Sequence, residues 1–397
     1  MSHIKLALLL GITVALGPLA LDAYLPAFPS IADGLGIPHS DVGLTLSAYV
    51  AALGLAQLVG GPLSDRYGRQ PILLGGLAIF AAAAVMVSLA NTLSDMVIWR
   101  VVQGIGGAFC AVSVPAIVRD QVSGQDAARL FGLIGLIMFV APAAAPSLGA
   151  LMLVAGDWHA IFLLLAGYAV FLAMALKFAL FPALQPRPPA TTPVRTLVTN
   201  YMLVLKHSTT MRFVGIQVLC FSTMLLFITH SSFIYQEWFG LSNGMFSILF
   251  AANIVLMAVL NLINRPLLRR FSSVVLLRTQ VIMQCVALIA LVTVVLLKGP
   301  FWLITACIVA AIGCQGGIIP NNMANALEFF PHLGGTAAAM LGASQFTIAG
   351  GISALSSIFA GHALLPIVVS MLACSVGAVI LAMGAPRAVA RETASPA

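Results

Sequence analysis

The chain has 397 residues, of which 61% are hydrophobic and only 7% are charged. A soluble domain carries about 25% charged residues, so this composition excludes a water-soluble protein and indicates that lipid surrounds most of the chain. The net charge of +7 comes from Lys and Arg residues that stand singly between apolar runs. This pattern is typical of membrane topology and not of nucleic-acid binding.

Twelve apolar runs follow one another along the sequence, each close to the length of about 20 residues that a helix needs to cross a bilayer. The first run is interpreted as a retained helix and not as a cleaved signal peptide. The predicted spans are 5–27, 42–62, 71–91, 96–118, 130–155, 159–181, 212–236, 243–264, 274–297, 301–323, 336–359 and 363–384. We therefore predict an all-α integral membrane protein.

A proline-rich stretch divides the spans into two sets of six. Residues 183–211 contain several prolines and basic residues, which predicts a cytoplasmic linker with a short amphipathic helix at 194–206. The N-terminal bundle then covers residues 1–182, and the C-terminal bundle with its short cytoplasmic tail covers 212–397. Basic residues between the spans fall almost entirely on the side of the termini, so both termini are expected in the cytoplasm.

The loops after the second and eighth spans share a pattern. A shift of 204 residues pairs Pro62 with Pro266 and Arg66 with Arg270. Parallel repeats of six helices, related by an axis along the membrane normal, mark one large class of secondary transporter. The sequence therefore predicts two pseudo-symmetric bundles.

The loop between predicted helices 2 and 3 carries a compact charged motif. Its residues are Gly61, Asp65, Arg66, Gly68 and Arg69. The glycines permit a tight turn, and the Asp65 carboxylate is expected to meet Arg119, at the end of helix 4, and the positive start of helix 11. We predict a conformational latch on the cytoplasmic side. The alternative is a solvated loop that only fixes the topology.

Two charged residues fall inside apolar runs. Asp22 lies in predicted helix 1 between Pro18 and Pro26, and Arg100 lies in predicted helix 4, followed by Gln103 and closely spaced glycines. A charge inside a membrane is costly unless it is paired or hydrated. We therefore predict that Asp22 couples transport to protons and that Arg100 senses its charge directly, through water or through Gln103. The alternatives are an interfacial Asp22 and an Arg100 that snorkels to the lipid headgroups.

His230, near the end of predicted helix 7, stands at a position that corresponds to that of Asp22. It is considered as a second proton-coupling group, against the alternative of a histidine that is simply hydrogen-bonded to a neighbour. Aromatic and amide side chains of the spans are expected to line a substrate cavity, with ordinary packing as the alternative for each. These residues are Tyr24, Phe28, Tyr49, Gln57, Gln103, Phe227, Phe233, Tyr235, Asn253 and Gln345.

Three segments resemble a known family of transporters. They are LDAYLPAFPSIA in helix 1, LTLSAYVAALGLAQLVGGPLSDRYGRQPILL across helices 2 and 3, and WRVVQGIGG in helix 4. They look like the bicyclomycin-resistance and chloramphenicol-efflux family of the major facilitator superfamily. The resemblance implies a twelve-span drug:proton antiporter of the bacterial inner membrane that works by alternating access. Transported substrates vary within that family, so the resemblance leaves the substrate open.

The predicted function is therefore proton-coupled efflux of an amphipathic small molecule. The protein is expected to be a monomer that contacts substrate, protons and lipid, without nucleic acid, metal or cofactor. Its six cysteines stand in apolar runs without a close CxxC pair, which predicts neither disulfides nor a metal site. One alternative is a narrow exporter of a sugar, amino acid or nucleoside. Another is a membrane-embedded transferase, which would need a cluster of His, Asp or Glu that the sequence does not offer.

Overall fold

The computed structural model describes residues 3–122, 124–184, 194–330, 333–359 and 363–384. The predicted tail beyond residue 384 and residues 185–193 of the predicted linker lie outside them. Within the described residues, 12 helices are long and apolar enough to cross a membrane, which confirms the predicted number of spans. We number them α1 to α12: Ile4–Leu35, His39–Tyr67, Arg69–Ser88, Leu93–Gln121, Arg129–Ala155, Trp158–Ala183, Ser208–Trp238, Asn243–Leu267, Ser273–Leu296, Phe301–Leu327, Gly334–Phe359 and Leu364–Met383.

The largest difference from the predicted boundaries is in α1, which continues to Leu35 instead of ending at residue 27. It consists of the helix His3–Asp22, a short 3-10 turn at Leu25–Ala27 and the helix Phe28–Leu35. Each of the last two segments has a proline in its first turn, where the missing N–H needs no partner. The prolines thus bend the span without ending it, and Asp22 lies at the bend.

Consecutive helices alternate in direction, so the start of α1 and the end of α12 lie on one side of the bundle. We call it the terminal side and the opposite side the far side; placing the terminal side in the cytoplasm remains a prediction. The linker helix predicted at 194–206 is present as Val194–Lys206. Its buried Val204 packs on Ala337 and Met340 of α11, so the helix is held against the bundle at the terminal side.

Glycines allow the central helices to approach closely. A Cβ atom added to Gly104 of α4 would lie 2.5 Å from the carbonyl oxygen of Tyr49 in α2, and one added to Gly106 would lie 2.6 Å from that of Gly76 in α3. The close helix approach predicted from this glycine run is therefore confirmed. It places α4 directly between α2 and α3.

Contacts between the first six and the last six helices run mainly through two pairs, α2 with α11 and α5 with α8. In the first pair the Ser47 hydroxyl donates to the Ser353 hydroxyl over 2.9 Å, and Ser353 lies 2.7 Å from the Thr229 hydroxyl of α7. Hydroxyl groups at such a contact satisfy each other in a medium without water. The seam between the two sets of helices is thus polar as well as apolar.

Candidate functional site

The Arg100 side chain is completely buried among the first six helices. Its guanidinium donates to the Gln103 side-chain oxygen over 2.7 Å and to the Ala20 carbonyl of α1 over 3.2 Å. It also lies over the rings of Tyr24 and Tyr49, at 4.5 and 4.4 Å from their centroids. Arg100 therefore points into the protein, and the alternative of a side chain that snorkels to the headgroups is excluded.

Asp22 does not meet Arg100 directly. Within the described residues neither side chain takes part in an ion pair. The reason is helical geometry, since Ala20 and Tyr24 are four residues apart and share the face of α1 that Arg100 contacts, whereas Asp22 lies between them on another face. The direct form of the predicted Asp22–Arg100 contact is therefore wrong.

The Asp22 carboxyl group is buried in the bend of α1. Only 4% of the residue is exposed, and its Oδ1 atom has no hydrogen-bond partner in the described part of the chain. A buried carboxylate without a partner is costly, and proteins keep such a group inside a membrane mainly for function. The burial that the sequence suggested is confirmed, whereas the role in proton coupling stays a prediction.

The residues predicted to line a cavity fall into three places. Tyr24, Phe28, Tyr49 and Gln103 are buried around Arg100. In the last six helices the rings of Phe227 and Tyr235 pack together on α7, and Asn253 is buried on α8. Phe233, between those two residues in the sequence, contacts Trp238 instead. Gln57 and Gln345 lie at the contact of α2 with α11, where Gln345 accepts a 2.7 Å hydrogen bond from Gln217. Their contact with a substrate stays a prediction.

His230 is buried, and its Nε2 atom lies 3.0 Å from the Ser356 hydroxyl of α11. This is the hydrogen-bonded histidine that the sequence analysis gave as the alternative. The contact joins α7 to α11, and nothing in its geometry assigns a proton-coupling role to the ring.

The charged motif at the terminal side has a different centre from the predicted one. Arg69, and not Arg119, bridges the carboxylates: it lies 2.5 Å from Asp65 and donates over 2.8 Å to Asp120. Arg119 is exposed. The predicted Asp65–Arg119 pair is therefore wrong, because the side chain of Arg119 leaves α4 toward solvent while its neighbour Asp120 faces α3.

The turn at Gly68 and the linker helix both lie next to this charged motif. Gly68, which joins α2 to α3, has φ of 93°, a conformation that favours glycine and lets Arg69 fold back onto Asp65. Tyr201 of the linker helix lies close by: its partial burial and the Asp65 carboxylate raise the pKa of its hydroxyl. The contacts of Arg69 join α2, α3 and α4, whereas Asp65 makes no hydrogen bond or ion pair with the start of α11 within the described ranges.

Two groups at these sites have no counterpart among the residues predicted from the sequence. Asp120 was passed over because a carboxylate at a helix end next to Arg119 looks like ordinary surface charge. His39 was not singled out, although its ring contacts Ser232 and Glu237 of α7. Among the described residues no group of three or more His, Cys, Asp or Glu is placed to hold a metal ion.

The part of the chain that the structure describes combines twelve helices of spanning length, a buried charge and a polar seam between two helix sets. These are the features of a polytopic membrane transporter. The family model of the Major Facilitator Superfamily matches residues 10–354. The chain belongs to that superfamily and is a multi-pass protein of the bacterial inner membrane. The resemblance stated from the sequence motifs is thereby confirmed.

Several relatives are named as resistance proteins. The chain is 28% identical to a bicyclomycin resistance protein homolog of Haemophilus influenzae over 94% of both chains. It is 29% identical to a chloramphenicol resistance protein of Pseudomonas aeruginosa, with 82% of this chain and 77% of the relative covered. The multidrug resistance protein MdtL of Escherichia coli is 31% identical over 60% of each chain.

The fold is also found in solved structures of low sequence identity. A D-xylose–proton symporter superposes with a TM-score of 0.77 at 14% identity, and 97% of this chain and 99% of that chain are covered. The nucleoside transporter NupG superposes with a TM-score of 0.72, also at 14% identity, over 95% of this chain and 98% of that one. These likenesses support the major facilitator fold and nothing finer.

Proposed function

We propose that the protein is a proton-coupled efflux transporter that exports amphipathic small molecules by alternating access, with residues 1–182 and 212–397 as its two moving bundles. The observation that carries the proposal is the isolated, buried carboxyl group of Asp22 at the bend of α1. The names of the relatives, which are resistance proteins for bicyclomycin, chloramphenicol or several drugs, support drugs as the class of substrate.

A carboxyl group in this position can couple transport to protons for a physical reason. Ionised, it must be hydrated or paired; protonated, it can stay in a dry environment. A change of conformation that alters its access to water therefore changes its protonation. The same change of access is what alternating access requires of the two bundles.

Arg100 acts in this proposal as a fixed charge near the site. Tyr24 belongs to the same turn of α1 as Asp22, and its ring lies under the guanidinium. A shift of the α1 bend therefore moves Asp22 relative to Arg100 without any direct contact between them. The cluster of Asp65, Arg69 and Asp120 is assigned to control of conformation, because it lies on the terminal side, away from Asp22.

The test is transport by the purified protein in proteoliposomes with an imposed proton gradient. Chloramphenicol and bicyclomycin are the first probes, since relatives are named for resistance to them. We expect gradient-driven transport by the wild type and its loss in Asp22→Asn, with drug binding retained. Asp126→Asn, which changes an exposed carboxylate paired with Arg129, is the matched control and should transport normally.

Two results would contradict the proposal. Uphill transport by Asp22→Asn with the same pH dependence as the wild type would remove Asp22 from coupling. Failure of a well-folded wild-type protein to move any drug of a broad panel, with transport of a sugar, amino acid or nucleoside instead, would favour the narrow exporter.

A further inference from the structure

A network of polar contacts joins the two sets of helices at the far side. His39, the first residue of α2, uses both ring nitrogens: Nδ1 lies 2.7 Å from Glu237 and Nε2 lies 3.2 Å from the Ser232 hydroxyl, both on α7. Gln236 of α7 donates to the Pro26 carbonyl of α1 over 3.2 Å. We call these residues, His39, Ser232, Gln236 and Glu237, the far-side clasp.

The directions of the hydrogen bonds in the clasp are fixed by one carbonyl group. The Pro26 carbonyl can only accept, so the Gln236 atom that faces it is the amide nitrogen, which also donates to the Asn243 side-chain oxygen over 2.5 Å. The Gln236 oxygen therefore faces Ser232, whose single hydroxyl proton it accepts over 2.5 Å. With that proton committed, Ser232 can only accept from His39, and Nε2 must carry a hydrogen.

The other ring nitrogen leads to a proton count for the whole clasp. A carboxylate only accepts hydrogen bonds, so Nδ1 of His39 must also carry a hydrogen if Glu237 is ionised. If Glu237 is protonated instead, it donates to Nδ1, and the number of protons is the same. The closed clasp thus holds one proton more than a neutral imidazole and an ionised carboxylate hold when separated.

The surroundings of the clasp suit a group that exchanges protons with the far side. The His39 side chain is only 9% exposed, whereas that of Glu237 is 40% exposed and reaches solvent. Burial of the ring opposes a positive charge on it, whereas the carboxylates of Glu237 on α7 and Asp33 on α1 favour that charge. Asp41 follows two residues later on α2, where its carboxylate accepts a hydrogen bond from the Ser40 hydroxyl. Histidine is the side chain that ordinarily changes charge between about pH 5 and pH 8.

We propose that the His39–Glu237 pair is a proton-operated gate: proton uptake closes the far side by completing the clasp, and proton loss releases it. Without the proton, one hydrogen bond of the clasp is lost. It is the contact of the ring with Glu237, its contact with Ser232, or, if the Ser232 hydroxyl turns to donate to Nε2, the bond from Ser232 to Gln236. Because the closed state binds more protons than the open state, acid favours closure. This inference rests on the proposed function, in which a proton entering from the far side resets the transporter after the drug has left.

The test is a distance measurement between the far ends of the two bundles. Spin labels are attached at Asn91→Cys, in the far-side loop after α3, and at Leu297→Cys, in that after α9, in a protein without its six native cysteines. Double electron–electron resonance spectroscopy then gives the populations of short and long distances between the two labels at about pH 5 and about pH 8. Because proton loss removes one charge-assisted hydrogen bond from the closed state, we expect the ratio of closed to open molecules to fall about ten-fold between the lower and the higher pH.

Variants separate the clasp from general effects of pH. His39→Gln and Glu237→Gln should each abolish the pH dependence of the distance distribution. His159→Gln is the matched control, since His159 is a second far-side histidine that lies 2.8 Å from a carboxylate, but its partner Asp157 is only two residues away. It should respond to pH as the wild type does.

The proposal is overturned if His39→Gln or Glu237→Gln, eluting as a monodisperse and thermally stable protein, keeps the wild-type pH response. It is equally overturned if His159→Gln loses the response to the same extent. The measurement needs no substrate, so it stays decisive if drug transport fails, and failure of the gate leaves the transport test of Asp22 untouched.

Discussion

At the scale of single residues, the site around Arg100 shows how a charge can be buried in a membrane protein without a counter-ion. The guanidinium donates to three oxygen acceptors, on Gln103, Ala20 and Thr45, and lies over the faces of two tyrosine rings. Interactions of a cation with aromatic faces gain strength where water is excluded. The two tyrosines differ in one respect, because the Tyr24 hydroxyl lies 3.1 Å from Thr45 while the buried Tyr49 hydroxyl has no partner in the described residues.

This difference predicts opposite outcomes for two conservative substitutions. Tyr24→Phe removes a hydroxyl that donates to Thr45, since Thr45 gives its own proton to the Val42 carbonyl. It should lower the free energy of unfolding by about 1 kcal/mol. Tyr49→Phe removes an unpaired buried hydroxyl and should be neutral or stabilising. Thermal unfolding in detergent compares the two, and an equal loss in both variants would contradict the assignment.

At the scale of secondary-structure elements, α4 is the helix on which the first bundle is packed. Its glycines face the backbones of α2 and α3 so closely that a side chain cannot be placed there. Gly167 of α6 differs from these glycines, because no atom lies within 4 Å of a Cβ added to it. Burial against another backbone, and not the residue type alone, decides what such a position tolerates.

The same glycine-to-alanine change is therefore expected to have opposite effects in α4 and in α6. Gly104→Ala puts a methyl group against the Tyr49 carbonyl and the Ala52 side chain, and overpacking of this kind costs about 1–3 kcal/mol. Gly167→Ala should instead stabilise its helix by about 0.5–1 kcal/mol, through the higher helix propensity of alanine. The melting temperatures of the two variants, measured side by side, should move in opposite directions from that of the wild type.

At the scale of the whole molecule, polar clusters stand at both ends of the helix bundle. The cluster of Arg69 with Asp65 and Asp120 ties α2, α3 and α4 together at the terminal side, and the far-side clasp ties α1 and α2 to α7. A rocking movement of two bundles must break or reform contacts of this kind. The terminal cluster is predicted to stabilise one arrangement of the helices, because Asp120 is 95% buried at its side chain and needs its partner.

Neutralising the terminal cluster should change the rate of transport and not the affinity for substrate. We expect Asp120→Asn and Asp65→Asn each to slow proton-driven transport several-fold, as the carboxylates of one cluster. Arg119→Gln is the control, because the exposed Arg119 lies one residue from Asp120. Initial rates and binding constants in proteoliposomes check this. If Arg119→Gln transported as slowly as Asp120→Asn, the result would contradict this assignment and support the Asp65–Arg119 pair predicted from the sequence.

The sequence by itself determined the class of structure. Apolar runs of spanning length must form helices, because a backbone inside lipid has to satisfy its own hydrogen bonds, and so the 12 spans and the linker helix at Val194–Lys206 could be predicted. The glycine run of α4 likewise predicted that α4 packs closely against its neighbouring helices. Asp22 and Arg100 could be singled out because a charge inside an apolar run is rare and costly.

Which side chains meet was decided only by the tertiary structure. Whether Arg69 or Arg119 bridges Asp65 depends on the rotation of α4 about its axis, and whether Asp22 reaches Arg100 depends on which face of α1 is turned toward α4. His39 and Glu237 are 198 residues apart, and no local pattern links them. Helix rotation and long-range pairing follow from packing over the whole chain. Hydropathy assigns one value to each residue and therefore does not specify which residues pack together.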